Sequence, residues 1–285
     1  MPDSAVSSRP RSVLICHQGA TLDTGGLSRW LASFSDLAGM IVLEEPPGRT
    51  WQRVRAQMRR AGALRMLDVL AFRAWYALRH RADDRRFERL AVGALKTRFG
   101  DPAPPPAVLH ARSVNAPETV AFLRRCRPDF VVARCKTLIK PAVFTIPTAG
   151  TYVLHPGVCP EYRNAHGCFW ALAQRDLDRV GLTLLRIDEG VDTGPIYGHF
   201  TYAFDEREES HVRIQWRVLL ENLDAVRVRL VAAVEGRATP VDVTGRRSAT
   251  WGQPWLTACW RWKRALRRAR ETHESTAVSR RGAAA

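Results

Sequence analysis

An open, doubly wound, mostly parallel sheet of the Rossmann-like α/β class is the fold the sequence predicts, and three observations predict it. Short apolar runs bounded by turn residues, such as SVLICHQ (12–18) and AGMIVLEEP (38–46), alternate with helical periods through the first 205 residues. The first two runs enclose a helical stretch, LSRWLASFSDL (27–37), and so form a βαβ unit, which requires parallel strands and a right-handed crossover. Finally, the stretches densest in ionisable and turn-forming residues, YVLHPGVCPEYRNAHG (152–167) and IDEGVDTG (187–194), each follow a strand-like run. Open sheets of this class bind ligands at the carboxyl ends of their strands.

The elements follow in order. A polar loop, GATLDTGG (19–26), separates the first strand from its helix, with Gly25 and Gly26 read as the helix start. His17 and Gln18 stand in this loop without a GxGxxG or P-loop pattern, so a plain helix N-terminus is preferred to a phosphate site. Pro46 and Pro47 close the second strand. Residues 50–100 form a helical insertion, with Trp51, Val54, Met58, Leu64, Leu67, Leu70, Phe72 and Trp75 in helical period among arginines. A proline-rich connector, GDPAPPPAV (100–108), leads to a short strand, a helix opening near Pro117 and a buried strand, DFVVARC (129–135). Another strand spans Thr151 to Leu154, and GLTLLRID (181–188) and PIYGHFTYAF (195–204) supply two more. Residues 206–236 read as one or two helices, 250–272 as a helix rich in Trp and Arg, and the last dozen as disordered. The division expected is a catalytic-type domain, 1–205, carrying the insertion, and a helical extension, 206–285, with a disordered tail.

Charge is unevenly placed. The net charge of +16 comes almost wholly from residues 51–100, with 13 Lys/Arg against 4 Asp/Glu, and 261–285, with 8 against 2. Helical period turns most aromatics of the insertion toward a core and leaves its arginines as a solvated face. The tail is expected to dock through Trp251 and Trp255, with peripheral contact to an anionic membrane or polyanion as a lesser reading. A homodimer is compatible with the sequence. Six cysteines lack CxxC spacing and read as small buried hydrophobes, and His155, Cys159, His166 and Cys168 do not have the spacing of a zinc site. A Cys nucleophile lacks the supporting order of Cys, His and Asn. With a polar opening segment and no run of ~18 apolar residues, the expectation is a soluble cytoplasmic protein.

The stretch from Arg127 to Ile196 resembles the catalytic core of the folate-dependent formyltransferases, which act on methionyl-tRNA, glycinamide ribonucleotide or amino sugars. His155, Pro160, Tyr162-Arg163, Gly181-Leu182-Thr183 and Asp192-Thr193-Gly194 fall in the family's order. The resemblance implies the formyltransferase fold, 10-formyltetrahydrofolate as formyl donor, and His155 with Asp192 as the proton-transfer pair. It implies cofactor contact by Arg134, Leu138 and Ile139 after the strand at 129–135, and by Asp188 and Val191 in the loop of Asp192, where Asp188 also suits a turn. One position departs. Where the family carries an Asn that donates a hydrogen bond to the developing oxyanion, this chain has Val153. Loss of one such donor costs about 10²–10³ in rate. Asn164 and His166 are the candidates to polarise the carbonyl instead.

By elimination the acceptor is the amine of a small molecule, an amino sugar or a specialised metabolite, and a diphosphate on it would suit the arginines. tRNA is disfavoured because the residues after the core read as helices, where the tRNA enzyme has a β-barrel domain. Two alternatives stay open: a formyltetrahydrofolate hydrolase or other altered chemistry on this fold, and a non-catalytic folate-binding descendant, for which Val153 argues.

Overall fold

Three consecutive residues of the first strand, Val13, Leu14 and Ile15, are fully buried, because layers cover both faces of the sheet they help to build. The computed structural model describes residues 9–44 and 62–282. Its seven-stranded sheet comprises β1 (Arg11–His17), β2 (Asp36–Leu43), β3 (Ala107–Ala111), β4 (Phe130–Arg134), β5 (Gly150–His155), β7 (Leu182–Arg186) and β8 (Ile196–Phe200), in the order β3-β2-β1-β4-β5-β7-β8. The first five strands are mutually parallel. β7 runs antiparallel to β5 and to β8, so a Rossmann-like, mostly parallel α/β sheet is what the chain forms.

One face carries the helical segment Leu22–Ala32 (α1) packed through Trp30, Leu27 and Leu31 with Leu14, Phe130 and Leu184. Residues 22–27 of that segment are π-helical, and the helix begins ahead of Gly25 and Gly26, where the sequence reading had a loop. The glycines answer to packing instead. A Cβ on Gly26 would stand 2.5 Å from Leu95 Cδ1, so its absence lets the inserted helix lie against α1. The opposite face is covered by α4 (Pro117–Cys126) through Phe122 and Leu123, with Pro117 at its first turn.

Within the insertion, α2 (Ala63–Arg79) and α3 (Arg81–Phe99) meet at His80. Trp51, Val54, Met58 and the Pro46-Pro47 closure lie outside the described residues. A short helix α5 (Pro141–Phe144) follows β4, and α6 (Gly167–Ala173) follows the two-residue strand β6 (Arg163–Asn164). After the sheet come α7 (His211–Leu220), α8 (Leu223–Val234), the two-residue strand β9 (Thr250–Trp251) and α9 (Leu256–Gly282), which runs into the stretch read as a disordered end. Strand β9 was read as the start of a helix. It pairs in parallel with β6, because Arg163 N donates to Ala249 O and Ala249 N to Pro160 O, at 3.1 and 3.0 Å. Trp170, Phe169, Phe72, Trp262 and Cys259 form one apolar cluster, so insertion, extension and core share their packing.

Candidate active site

His155 ends β5 and is buried, 3% exposed. Its Nε2 lies 2.8 Å from the carbonyl of Tyr162. A carbonyl only accepts, so Nε2 carries the hydrogen and donates it. Nδ1 faces Asp192 Oδ2 at 3.5 Å, and that oxygen also accepts from the backbone N–H of Asn164 at 2.7 Å. Two residues of the sequence reading, His155 and Asp192, are thus together, with the main chain of a third, Asn164, fixing the carboxylate.

The route by which they meet differs from the sequence expectation. IDEGVDTG was placed at the same sheet edge as His155. In the antiparallel register Tyr152 faces Arg186 and His155 faces Thr183, so β7 ends beside the amino half of β5. Three residues of strand, about 10 Å, separate that point from His155. The 187–195 loop covers the gap by folding back along the sheet. Gly194 permits the return, since a Cβ there would collide with Arg186 O, and Asp192 adopts a left-handed backbone at φ 52°. Asp188 Oδ1 accepts from Gly190 N and Thr193 Oγ1, which makes it the internal brace of this loop. Arg163 holds the loop from the other side by donating to Val191 O at 2.9 Å.

The 156–166 loop is set by glycine and threonine. A Cβ on Gly167 would stand 2.6 Å from both Gly157 Cα and Pro156 O, and one on Gly157 would stand 2.7 Å from Tyr162 O. Backbone therefore packs on backbone directly beneath the imidazole. Thr183 Oγ1 donates to Gly157 O at 2.6 Å and accepts from Cys159 N at 3.0 Å, which anchors the loop to β7. The Cys159–Pro160 peptide is cis. Burial pushes the thiols of Cys159 and Cys168 up to about 12, so both are protonated at neutral pH and neither is the thiolate a nucleophile requires.

The extension supplies contacts that no motif in the sequence announced. Trp251 Nε1 donates to Glu161 O, Trp251 stacks on Tyr162 at 5.7 Å, and Asn164 Nδ2 donates to Trp251 O at 2.6 Å. Arg246 grips the Glu161 carboxylate with two hydrogen bonds of 2.9 and 2.6 Å. The tryptophan richness of 251–262 was the one available signal, and it was read correctly as docking but without its target. Arg134 is drawn into the scaffold: Nε donates to Asp23 Oδ1 at 3.2 Å and Nη1 to Leu154 O at 2.7 Å. Ile139 is buried in the α4 face, whereas Leu138 and Val191 are 56% and 42% exposed on the two loops that flank β5.

Val153 shares the sheet face of His155 and sits between Ala133 and Leu185 in register, half-buried against Cys159, Leu185 and Ile196. It has no group to donate. His166, with φ 56°, caps α6 and hydrogen-bonds Gln253. Burial first, then the charge of Lys136, lower its pKa to about 4, so it is a neutral imidazole at physiological pH. Its ring centroid lies 6.4 Å from that of His211, which burial, then His166 and His80, hold well below the ordinary value.

These buried neutral histidines fix a pH dependence. Below about pH 6.5 the unfolded chain binds protons that the folded chain refuses, so stability falls as pH drops from there toward 4, by up to about 3 kcal/mol for His166. Above about pH 6.5 this contribution is fully present. Urea titrations of wild type and His166→Gln between pH 7 and 4 are expected to show the larger loss in wild type. A difference between the two that is constant with pH would contradict it.

Comparison with known proteins places this geometry. A model of the Formyl transferase family matches residues 87–227, the span that contains His155, Tyr162 and Asp192. The methionyl-tRNA formyltransferase of Dehalococcoides mccartyi is 38% identical over 98 residues, which cover 34% of this chain and 31% of that protein. That of Thermotoga maritima is 28% identical over 126 residues, 42% of this chain and 40% of that protein. The match thus spans about a third of the length of such relatives. A solved phosphoribosylglycinamide formyltransferase from Anaplasma phagocytophilum shares the fold, with TM-score 0.52 and 13% identity over 87% of this chain and 100% of that one.

Proposed function

The chain belongs to the formyltransferase family, and from that premise we propose that it transfers the formyl group of 10-formyltetrahydrofolate to the primary amine of a small, negatively charged molecule such as an amino sugar or a specialised metabolite. The observation that carries this reading is the His155–Asp192 pair, 3.5 Å apart and joined by a loop that folds back for the purpose.

The residues around the pair fit such a donor. Leu138 and Val191 offer exposed apolar side chains on the loops that follow β4 and β7, surface of the kind a flat heteroaromatic ring covers. Arg134 contributes by holding Leu154 and Asp23, and Asp188 by shaping its loop. The bound donor supplies an activated formyl group. The chain's own task is the proton that an attacking amine sheds. Tyr162 keeps the Nε2 hydrogen in place, which leaves Nδ1 as the nitrogen able to accept. The imidazolium then lies between a carbonyl and a carboxylate, two acceptors that stabilise it. His166, neutral and tied to Gln253, has the protonation state to donate a hydrogen bond without competing for that proton.

A small anionic acceptor is favoured by two cations beside His166. Lys136, after β4, and Arg73, from α2, both act on it electrostatically, and neither has an ion-pair partner among the described residues. Arg73 reaches Gln253 at 3.4 Å. Turnover of 10-formyltetrahydrofolate that requires an added amine is the test; formate release without one would make the protein a hydrolase.

A further inference from the structure

Helix α2 is apolar on both sides. Its inner side packs Met66, Val69 and Phe72 into the protein, with Phe72 5.3 Å from Phe169. Its outer side carries Leu64, Leu67, Ala71, Ala74 and Leu78, spaced three and four residues apart and so on one face. All five are exposed, Leu64 at 84%, Leu67 at 63% and Leu78 at 90%. A continuous outward stripe of this kind marks an interaction surface.

The helix is pinned, so the stripe is presented and not merely loose. Asp68 accepts from Thr257 N at 3.0 Å, capping α9, and Arg65 lies 3.8 Å over the Trp255 ring. On α9, Trp260 is 55% exposed. Charge identifies the partner. Between residues 62 and 100, nine Lys/Arg are exposed against one exposed acid, Asp83. The described side chains of α9 add five cations and no acid. Two copies of this chain meeting through the stripe would bring these cations together. A lipid surface of negative charge satisfies leucine, tryptophan and arginine at once.

We infer that α2, with Trp260 of α9, forms a membrane-docking face that binds anionic bilayers peripherally, inserting Leu64, Leu67 and Leu78 beneath the headgroups while the surrounding arginines engage them. The inference rests on the packing of α2 and α9, and stands or falls apart from formyl transfer.

The test is co-sedimentation of the full chain with phosphatidylcholine vesicles, with and without phosphatidylserine. Wild type is expected to pellet with the anionic vesicles and to release as salt rises. Leu64→Gln/Leu67→Gln/Leu78→Gln should bind at least about tenfold more weakly with unchanged circular dichroism and Tm. Leu78→Trp, which adds an interface-seeking ring at an exposed position, should bind more tightly. No pelleting of wild type, binding unaltered by either variant, or a lipid-free dimer that the glutamine variant converts to monomer would each overturn the inference.

Discussion

Asp192→Asn is expected to lower formyl transfer by about 10²–10⁴-fold, and His155→Ala by a similar factor, with donor binding retained. The asparagine keeps an oxygen for the Asn164 N–H, so the folded-back loop has its 2.7 Å anchor even as the charge beside Nδ1 disappears. Loss of activity in that variant therefore reports the carboxylate and not the loop. His155→Ala removes the proposed proton carrier and leaves the Tyr162 carbonyl without its 2.8 Å partner, so its stability should also fall, by about 1–3 kcal/mol. Steady-state rates beside thermal melts separate the two effects. Wild-type rates in Asp192→Asn would remove the pair from the chemistry.

The second large effect is expected at His166. Val153 is locked among apolar neighbours, and the side-chain amide of Asn164 commits one of its two N–H groups to Trp251 O. We assign the charge developing on the formyl oxygen to the neutral imidazole of His166, with the second N–H of Asn164 as the alternative donor. His166→Ala should cost about 10²–10³ in kcat, the usual worth of one such donor, with KM little changed. His166→Gln retains an N–H and should recover part of the loss. A rise in KM with kcat intact would instead assign His166 to acceptor binding, beside Lys136 and Arg73.

How much of this was legible in the sequence depended on the range of the forces involved. The buried strands around Val13–Ile15 and Phe130–Ala133 announce themselves as apolar runs, and a βαβ period implies parallel pairing. His155 and Asp192 were legible through family order. The direction of β7 was not, because a reversal depends on pairing partners remote in sequence, and so the loop carrying Asp192 was placed at an edge it reaches only by doubling back. Gly25 and Gly26 look like turn residues, yet they serve the approach of Val92 and Leu95, nearly seventy positions away. Strand β9 is two residues long and exists because Arg163 and Ala249 pair, a contact that no local period encodes. The clamp of Arg246 on Glu161 is of the same kind: two ordinary surface-type residues made specific by the fold. The outer leucines of α2 stand in the sequence only as members of a helical period, which cannot say which of two apolar faces is buried.

Whether the formyl carbon ends on an amine is decided by following it. With 10-formyltetrahydrofolate labelled in the formyl group, mixed with enzyme and a panel of phosphorylated and nucleotide-linked amino sugars, label is expected to leave the donor only when an acceptor amine is present. It should appear in an N-formyl product in a one-to-one ratio with the tetrahydrofolate released, and Asp192→Asn should abolish it. Label recovered as formate at a rate indifferent to any amine would contradict transfer and assign the His155–Asp192 pair to hydrolysis.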